Sequence, residues 1–103
     1  MYVYVNTGQA VEFEWDEAKA KANLAKHGVS FELAALIWND PLHVVVPDRI
    51  EQGEQRWHAI GVVGPVVVLV AVHSYPVGDG CVRIIGARKA TNQERRRYER
   101  ENP

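Results

Sequence analysis

From Val66 to Val72 the chain reads Val-Val-Val-Leu-Val-Ala-Val, with no polar residue to mark a wet side. A strand with one face in water alternates, so this run predicts a central strand covered on both faces. The near-apolar stretch around it, residues 60–72, is broken by Gly61, Gly64 and Pro65. It is also shorter than the ~20 residues a membrane-spanning helix needs, so no membrane contact is expected. A chain of 103 residues has room for one core of two layers. One face of the run must therefore meet helices, and the other a C-terminal helix, a second copy of the chain or a partner.

The flanking pattern says where those helices lie. Residues 11–15 alternate, which predicts a half-buried strand with Val11, Phe13 and Trp15 on one face. Asp16 then stands as an N-cap, Glu17 complements the helix dipole, and Gly28 stops a helix expected over 17–27. Within it Ala18, Ala22 and Ala25 form a methyl stripe suited to close approach by another backbone. Lys19, Asn23, Lys26 and His27 fall within about 100° on a different, polar face. Ser30 caps a second helix over 31–38, the short Gly28-Val29 link folds the two into a hairpin, and Asn39-Asp40-Pro41 ends it. β-Branched runs at 42–47, 55–63, 66–74 and 82–89, separated by Asp/Gly/Pro turns, predict an antiparallel meander. Thr91-Asn92-Gln93-Glu94 has the form of a capping box, opening a last helix over 91–101 whose only large apolar body is Tyr98. The expected fold class is α+β, a helix hairpin packed on an antiparallel meander sheet with a C-terminal helix. Residues 1–10 read as a poorly anchored extension and 11–103 as one domain.

Charge is unevenly placed. Residues 1–87 carry 6 Lys/Arg against 10 Asp/Glu, whereas residues 88–103 carry 6 against 3. A basic C-terminal element on a mildly acidic body suggests contact with an anion, a nucleic acid or an acidic partner, although the same charges also fit a solvated helix. A lone Cys81 excludes an internal disulfide and a cysteine-built zinc site, and it points to a reducing, cytoplasmic setting. No secretory signal, phosphate-binding glycine loop or nucleophile elbow is present. His27, His43, His58 and His73 lack metal-ligand spacing, so neither metal nor other cofactor is expected, and all but His27 read as ordinary half-buried strand residues.

The remaining Lys, Arg, His, Glu and Tyr side chains are a set able to cleave RNA without a metal. Such cleavage needs a base for the ribose 2′-hydroxyl, cations around the phosphate, and an acid for the leaving oxygen. His27 and Glu54 are candidate bases. Lys26, Arg56, Arg83, Arg88 and Lys89 are candidate phosphate ligands, and Tyr98, Lys26 or His27 candidate acids, with Lys19 and Arg95 further RNA contacts. Strand parity puts Arg83 and Lys89 on one face and Arg88 on the other unless a bulge intervenes. Plainer readings stand beside each: Glu54 and Arg56 as a surface ion pair, His27 as a cation favoured by a helix C-terminus, and Arg95 to Arg100 paired with Glu94, Glu99 and Glu101.

Several segments, in order, resemble one family: residues 13–19 (Phe-Glu-Trp-Asp-Glu-Ala-Lys), 23–31 (Asn-Leu-Ala-Lys-His-Gly-Val-Ser-Phe), Gly53-Glu54-Gln55-Arg56, and 83–91 (Arg-Ile-Ile-Gly-Ala-Arg-Lys-Ala-Thr) with Glu94-Arg95 and Tyr98-Glu99. This pattern is similar to the BrnT toxins of bacterial type II toxin-antitoxin systems. The resemblance implies a RelE-like fold, a ribonuclease that blocks translation, and a BrnA-like antitoxin partner that alone contacts operator DNA. Carried over by motif, it points to Lys26, His27, Glu54, Arg56, Arg83, Arg88 and Lys89. Where the family often has Ser-Ala-Arg, this chain has Gly86-Ala87-Arg88. The alternative is a catalytically inactive binding module that captures such a partner, or a homodimer formed through the apolar run.

Overall fold

The computed structural model describes residues 2–5, 11–65, 67–78 and 80–102. In chain order the elements are β1 (Tyr2–Val5), β2 (Glu12–Asp16), α1 (Glu17–His27), α2 (Phe31–Ala35), a 3-10 turn (Leu36–Asn39), β3 (Val44–Glu51), β4 (Glu54–Val63), β5 (Val67–Ser74), β6 (Cys81–Lys89) and α3 (Asn92–Glu101). The strands form one sheet in the order β1-β2-β6-β5-β4-β3. β3 to β6 make the expected antiparallel meander, but β2 joins β6 in parallel, so the sheet is mixed.

β5 occupies the interior position that its unbroken apolar run demands. Leu69, Val70 and Ala71 are at most 1% exposed, with β4 and β6 on either side. The ends of the run are less covered, Val67 being 40% exposed and Val68 and Val72 half-buried. On one face Leu69 and Ala71 join Phe13, Trp15, Phe31, Ala34, Ile37 and Ile84 in the main core. Trp15 and Phe31 meet edge to face there, with ring centroids 5.9 Å apart. α3 crosses the other face over Ile60 and Val70, yet buries no residue of its own. Polar contacts hold it.

Four local expectations change. The helix expected over 31–38 is divided, with α2 ending at Ala35 and a 3-10 turn carrying the chain to Asn39. That turn lies so close to β4 that a Cβ on Gly61 would stand 2.9 Å from Ile37 Cγ2. β3 continues past Pro47 to Glu51, tolerated because it is an edge strand and because its register shifts between Pro47 and Ile50. Gln52 and Gly53, both with positive φ (52° and 77°), close the β3–β4 hairpin as a type I′ turn requires. Finally, Tyr2–Val5 of the segment read as poorly anchored pair antiparallel with β2, and residues 6–10 lie outside the described residues.

α1 has the expected limits, with Asp16 accepting from the Lys19 N–H and Gly28 in the left-handed C-cap conformation. Its docking face is not the one expected. Ala18, Ala22 and Ala25 are exposed, and the helix meets the rest of the molecule through Ala20 and Asn23. β2 pairs with β6 only along Cys81–Arg83, which leaves the later edge of β6 without a strand among the described residues. Asn23 takes the place of one: Nδ2 donates to the carbonyls of Ala87 (2.8 Å) and Val29 (2.9 Å), and Oδ1 accepts from the Ala87 N–H (3.1 Å). A side-chain amide has the donor and acceptor a missing strand would have supplied.

Candidate active site

The bulge on which the site depends is present. β5 pairs Ser74 with Arg83, Val72 with Gly86 and Val70 with Arg88, and the register shifts between Val72 and His73 so that Ile85 is the extra residue. The shift reverses the parity of everything after it. Arg83 and Arg88 consequently share a face, and Lys89 turns to the other. Arg56 on β4 follows the same alternation, beside the register pair Trp57–His73, and reaches the Arg83–Arg88 face with Glu54 and His58.

Each guanidinium on this face has a carboxylate. Arg83 Nε donates to Glu14 Oε2 at 2.9 Å. Arg88 holds Glu94 with two prongs, at 2.6 Å and 2.9 Å. Arg56 Nε lies 3.5 Å from Glu54 Oε1 without forming a hydrogen bond. His58 bridges elements, Nε2 being 3.2 Å from Asp48 Oδ2 and Nδ1 3.9 Å from Glu94 Oε2. The hydrogen bonds from Arg88, more than any other effect, pull the Glu94 carboxyl down to about 2. Burial is the largest single effect on Arg83 and opposes its charge, but the Glu14 hydrogen bond together with the electrostatic pull of Tyr2, Glu14 and Glu54 outweighs it and raises the pKa. Arg56 Nε and Ser74 Oγ are the buried side-chain polar atoms that lack a hydrogen-bond partner among the described residues. Unsatisfied polar atoms of this kind carry a cost that functional sites can explain.

A family model described as "Ribonuclease toxin, BrnT, of type II toxin-antitoxin system" matches residues 15–94. The chain belongs to the BrnT family. The crystal structure of the Brucella abortus ribonuclease toxin BrnT is similar to it, with 32% sequence identity and a TM-score of 0.59 over 76% of this chain and 94% of that one. Among curated proteins no match was found.

Within the BrnT-matched span lie Lys19, Lys26, His27, Glu54, Arg56, Arg83, Arg88 and Lys89, and the structure distributes them unevenly. Glu54, Arg56, Arg83 and Arg88 share the face. α1 packs against the opposite side of the sheet, at the open edge of β6. A Cβ on Gly86, between Arg83 and Arg88, would stand 3.8 Å from Asn23 Oδ1, which is bonded to the adjacent Ala87 N–H at the strand edge. At about 100° per residue, Ala20 points to the core and Asn23 to the strand edge, with Lys19 and Lys26 roughly 50° further round the helix and away from the core. Both lysines and His27 are exposed. Lys89 and Arg95 meet instead at a separate groove of about 210 Å³ beside Val67 and Val68. The Tyr98 hydroxyl is engaged elsewhere, donating to Asp40 Oδ2 at 2.6 Å; burial and that carboxylate push it up to about 12.

Sequence reasoning overlooked Glu14, Asp48, His58, Ser74 and the second role of Glu94. The alternation of β2 already turned Glu14 away from Phe13 and Trp15, a signal that it faced Arg83. Nothing local marks Asp48 or Ser74.

Proposed function

We propose that this chain is a metal-independent endoribonuclease toxin with a RelE-like fold, that it halts translation in the cytoplasm by cutting RNA, and that a BrnA-like antitoxin neutralises it. The observation carrying the reading is that a single bulge aligns Arg83 and Arg88 with Arg56 on one sheet face, beside a carboxylate. Three guanidinium groups can hold a phosphodiester and stabilise the charge that grows on its oxygens. The Arg56–Glu54 contact is the longest of the three arginine–carboxylate pairs and lacks a hydrogen bond, so it is the one an arriving phosphate opens most readily. Glu54 is then free to take the 2′-hydroxyl proton. The 2′-oxygen attacks phosphorus, the bond to the 5′-oxygen breaks, and that oxygen leaves with a proton from Lys26 or His27, giving a 2′,3′-cyclic phosphate and a 5′-hydroxyl. His27 is the alternative base. Lys19, Lys89, Arg95 and Tyr98 are contacts outside this step.

The test is cleavage of RNA in EDTA by the purified chain and by Glu54→Gln and Arg56→Ala, with circular dichroism confirming that both fold. Each variant is expected to lose about 100-fold or more in rate. Cleavage that requires added metal, or that survives both substitutions, overturns the proposal. The carboxylate beside each of these three arginines favours a second reading, a module that binds an antitoxin without cutting RNA. It requires tight antitoxin binding and no cleavage at any dose.

A further inference from the structure

β1 precedes the span that matches the BrnT family, yet it contributes to the arginine face. Its register pairs Tyr4 with Glu14, Glu14 pairs with Arg83, and Arg83 pairs with Ser74, so the four residues form one row across four strands. Tyr2, two positions earlier, points the same way, and the Arg83 guanidinium carbon lies 4.1 Å from its ring centroid. Val3, between them, packs against the core. The two tyrosines are wet: Tyr2 is 47% exposed and Tyr4 71%. Rings held in water on an edge strand gain little from burial, and they sit where the arginine row ends.

We infer that Tyr2 and Tyr4 form a stacking platform for unpaired bases of an RNA strand whose phosphates lie along the arginine face. The inference rests on the nuclease reading above. Single-strand binders combine cations that track the backbone with aromatic rings that take successive bases, and every base offers a π face. Tyr2 already stacks on a guanidinium with one side of its ring, and a base on the other side extends that stack. The two side chains are spaced about 7 Å along the strand, one for each of two neighbouring bases. Glu14, the register partner of Tyr4, is neutralised by Arg83, while Asp16 lies across from Tyr2 and caps α1. The platform favours single strands over duplex, whose bases are occupied by their own stacking, and reads little sequence.

The experiment measures binding of a fluorescent 2′-O-methyl oligoribonucleotide, which cannot be cleaved because its nucleophile is blocked. The full chain is compared with a Tyr2→Leu/Tyr4→Leu double variant, which keeps an apolar β1, and with Tyr2→Phe/Tyr4→Phe. The Leu variant is expected to bind about ten-fold or more weakly and the Phe variant within about two-fold of wild type. An abasic oligomer should bind wild type and Leu variant alike. If the Leu variant binds the normal oligomer as well as wild type while Arg56→Ala does not, the platform is wrong and the nuclease reading stands. If wild type neither binds the oligomer nor cuts RNA, both fall. If the Leu variant retains RNA but loses a protein partner, the tyrosines serve that partner and the platform is overturned.

Discussion

Arg88 Nη1 stands 2.6 Å from Glu94 Oε1 and Nη2 stands 2.9 Å from Oε2, joining the end of β6 to the first turn of α3. The same carboxylate also accepts from the Thr91 N–H, closing the capping box, and lies near His58. One side chain therefore starts the helix and fastens it. Tyr98 to Asp40 and Asn102 to the Leu42 carbonyl hold its far end.

Because Glu94 titrates at about 2 in the folded chain against an ordinary value of 4.5, its stabilising contribution is complete above pH 4.5. It is lost as pH falls from there through 2. Glu94→Gln should lower the unfolding temperature at pH 7 and flatten the acid dependence in that window. With no buried residue on α3, amide exchange should show the helix opening before the sheet.

Asn23→Ala should cost about 2–3 kcal/mol, since it leaves the Ala87 N–H and two carbonyls without partners in a part-buried place. Asn23→Asp keeps the acceptor and loses the donor, and should also destabilise. Urea unfolding measures both. A cost below about 0.5 kcal/mol in either would mean that water replaces the amide without penalty.

The two interior glycines should differ sharply. Gly61→Ala forces a methyl to within 2.9 Å of Ile37 Cγ2 and 3.1 Å of His43 Cβ, and should destabilise by about 1–3 kcal/mol through overpacking. In Gly86→Ser the new Cβ meets nothing closer than 3.8 Å, so the change should alter stability by no more than about 0.5 kcal/mol. Thermal unfolding of the pair tests this, and an RNA assay on the serine variant shows whether a hydroxyl between Arg83 and Arg88 raises activity.

His73 is fully buried, with Nδ1 3.1 Å from the Ala71 carbonyl and Nε2 3.1 Å from the Tyr75 hydroxyl. Burial drives its pKa down to about 4 from 6.5. The unfolded chain gains a proton there first, so stability should fall as pH drops from 6.5 towards 4. In an NMR titration the His73 ring should keep its neutral shifts down to about pH 4, and a ring that protonates near 6.5 would contradict the packing.

Local chemistry wrote much of the fold openly. Asp16 and Gly28 bound α1, Thr91 and Glu94 open α3, and the unbroken valine run places β5 inside, because caps and periodicity act over a few residues. The face α1 uses was concealed, since Asn23 looks like any polar surface residue until an unpaired stretch of β6 gives its amide something to bond.

From the amino-acid order alone came most of the elements, the family and the residue types able to handle a phosphodiester. Tertiary structure alone decided which of those residues meet. Side chains alternate along a strand, so one extra residue at Ile85 moves Arg88 beside Arg83 and sends Lys89 away, and a bulge is set by pairing with β5 rather than by any residue within it. Likewise, which carboxylate neutralises which arginine depends on distances between elements far apart in the chain, and these exist only once the sheet has closed.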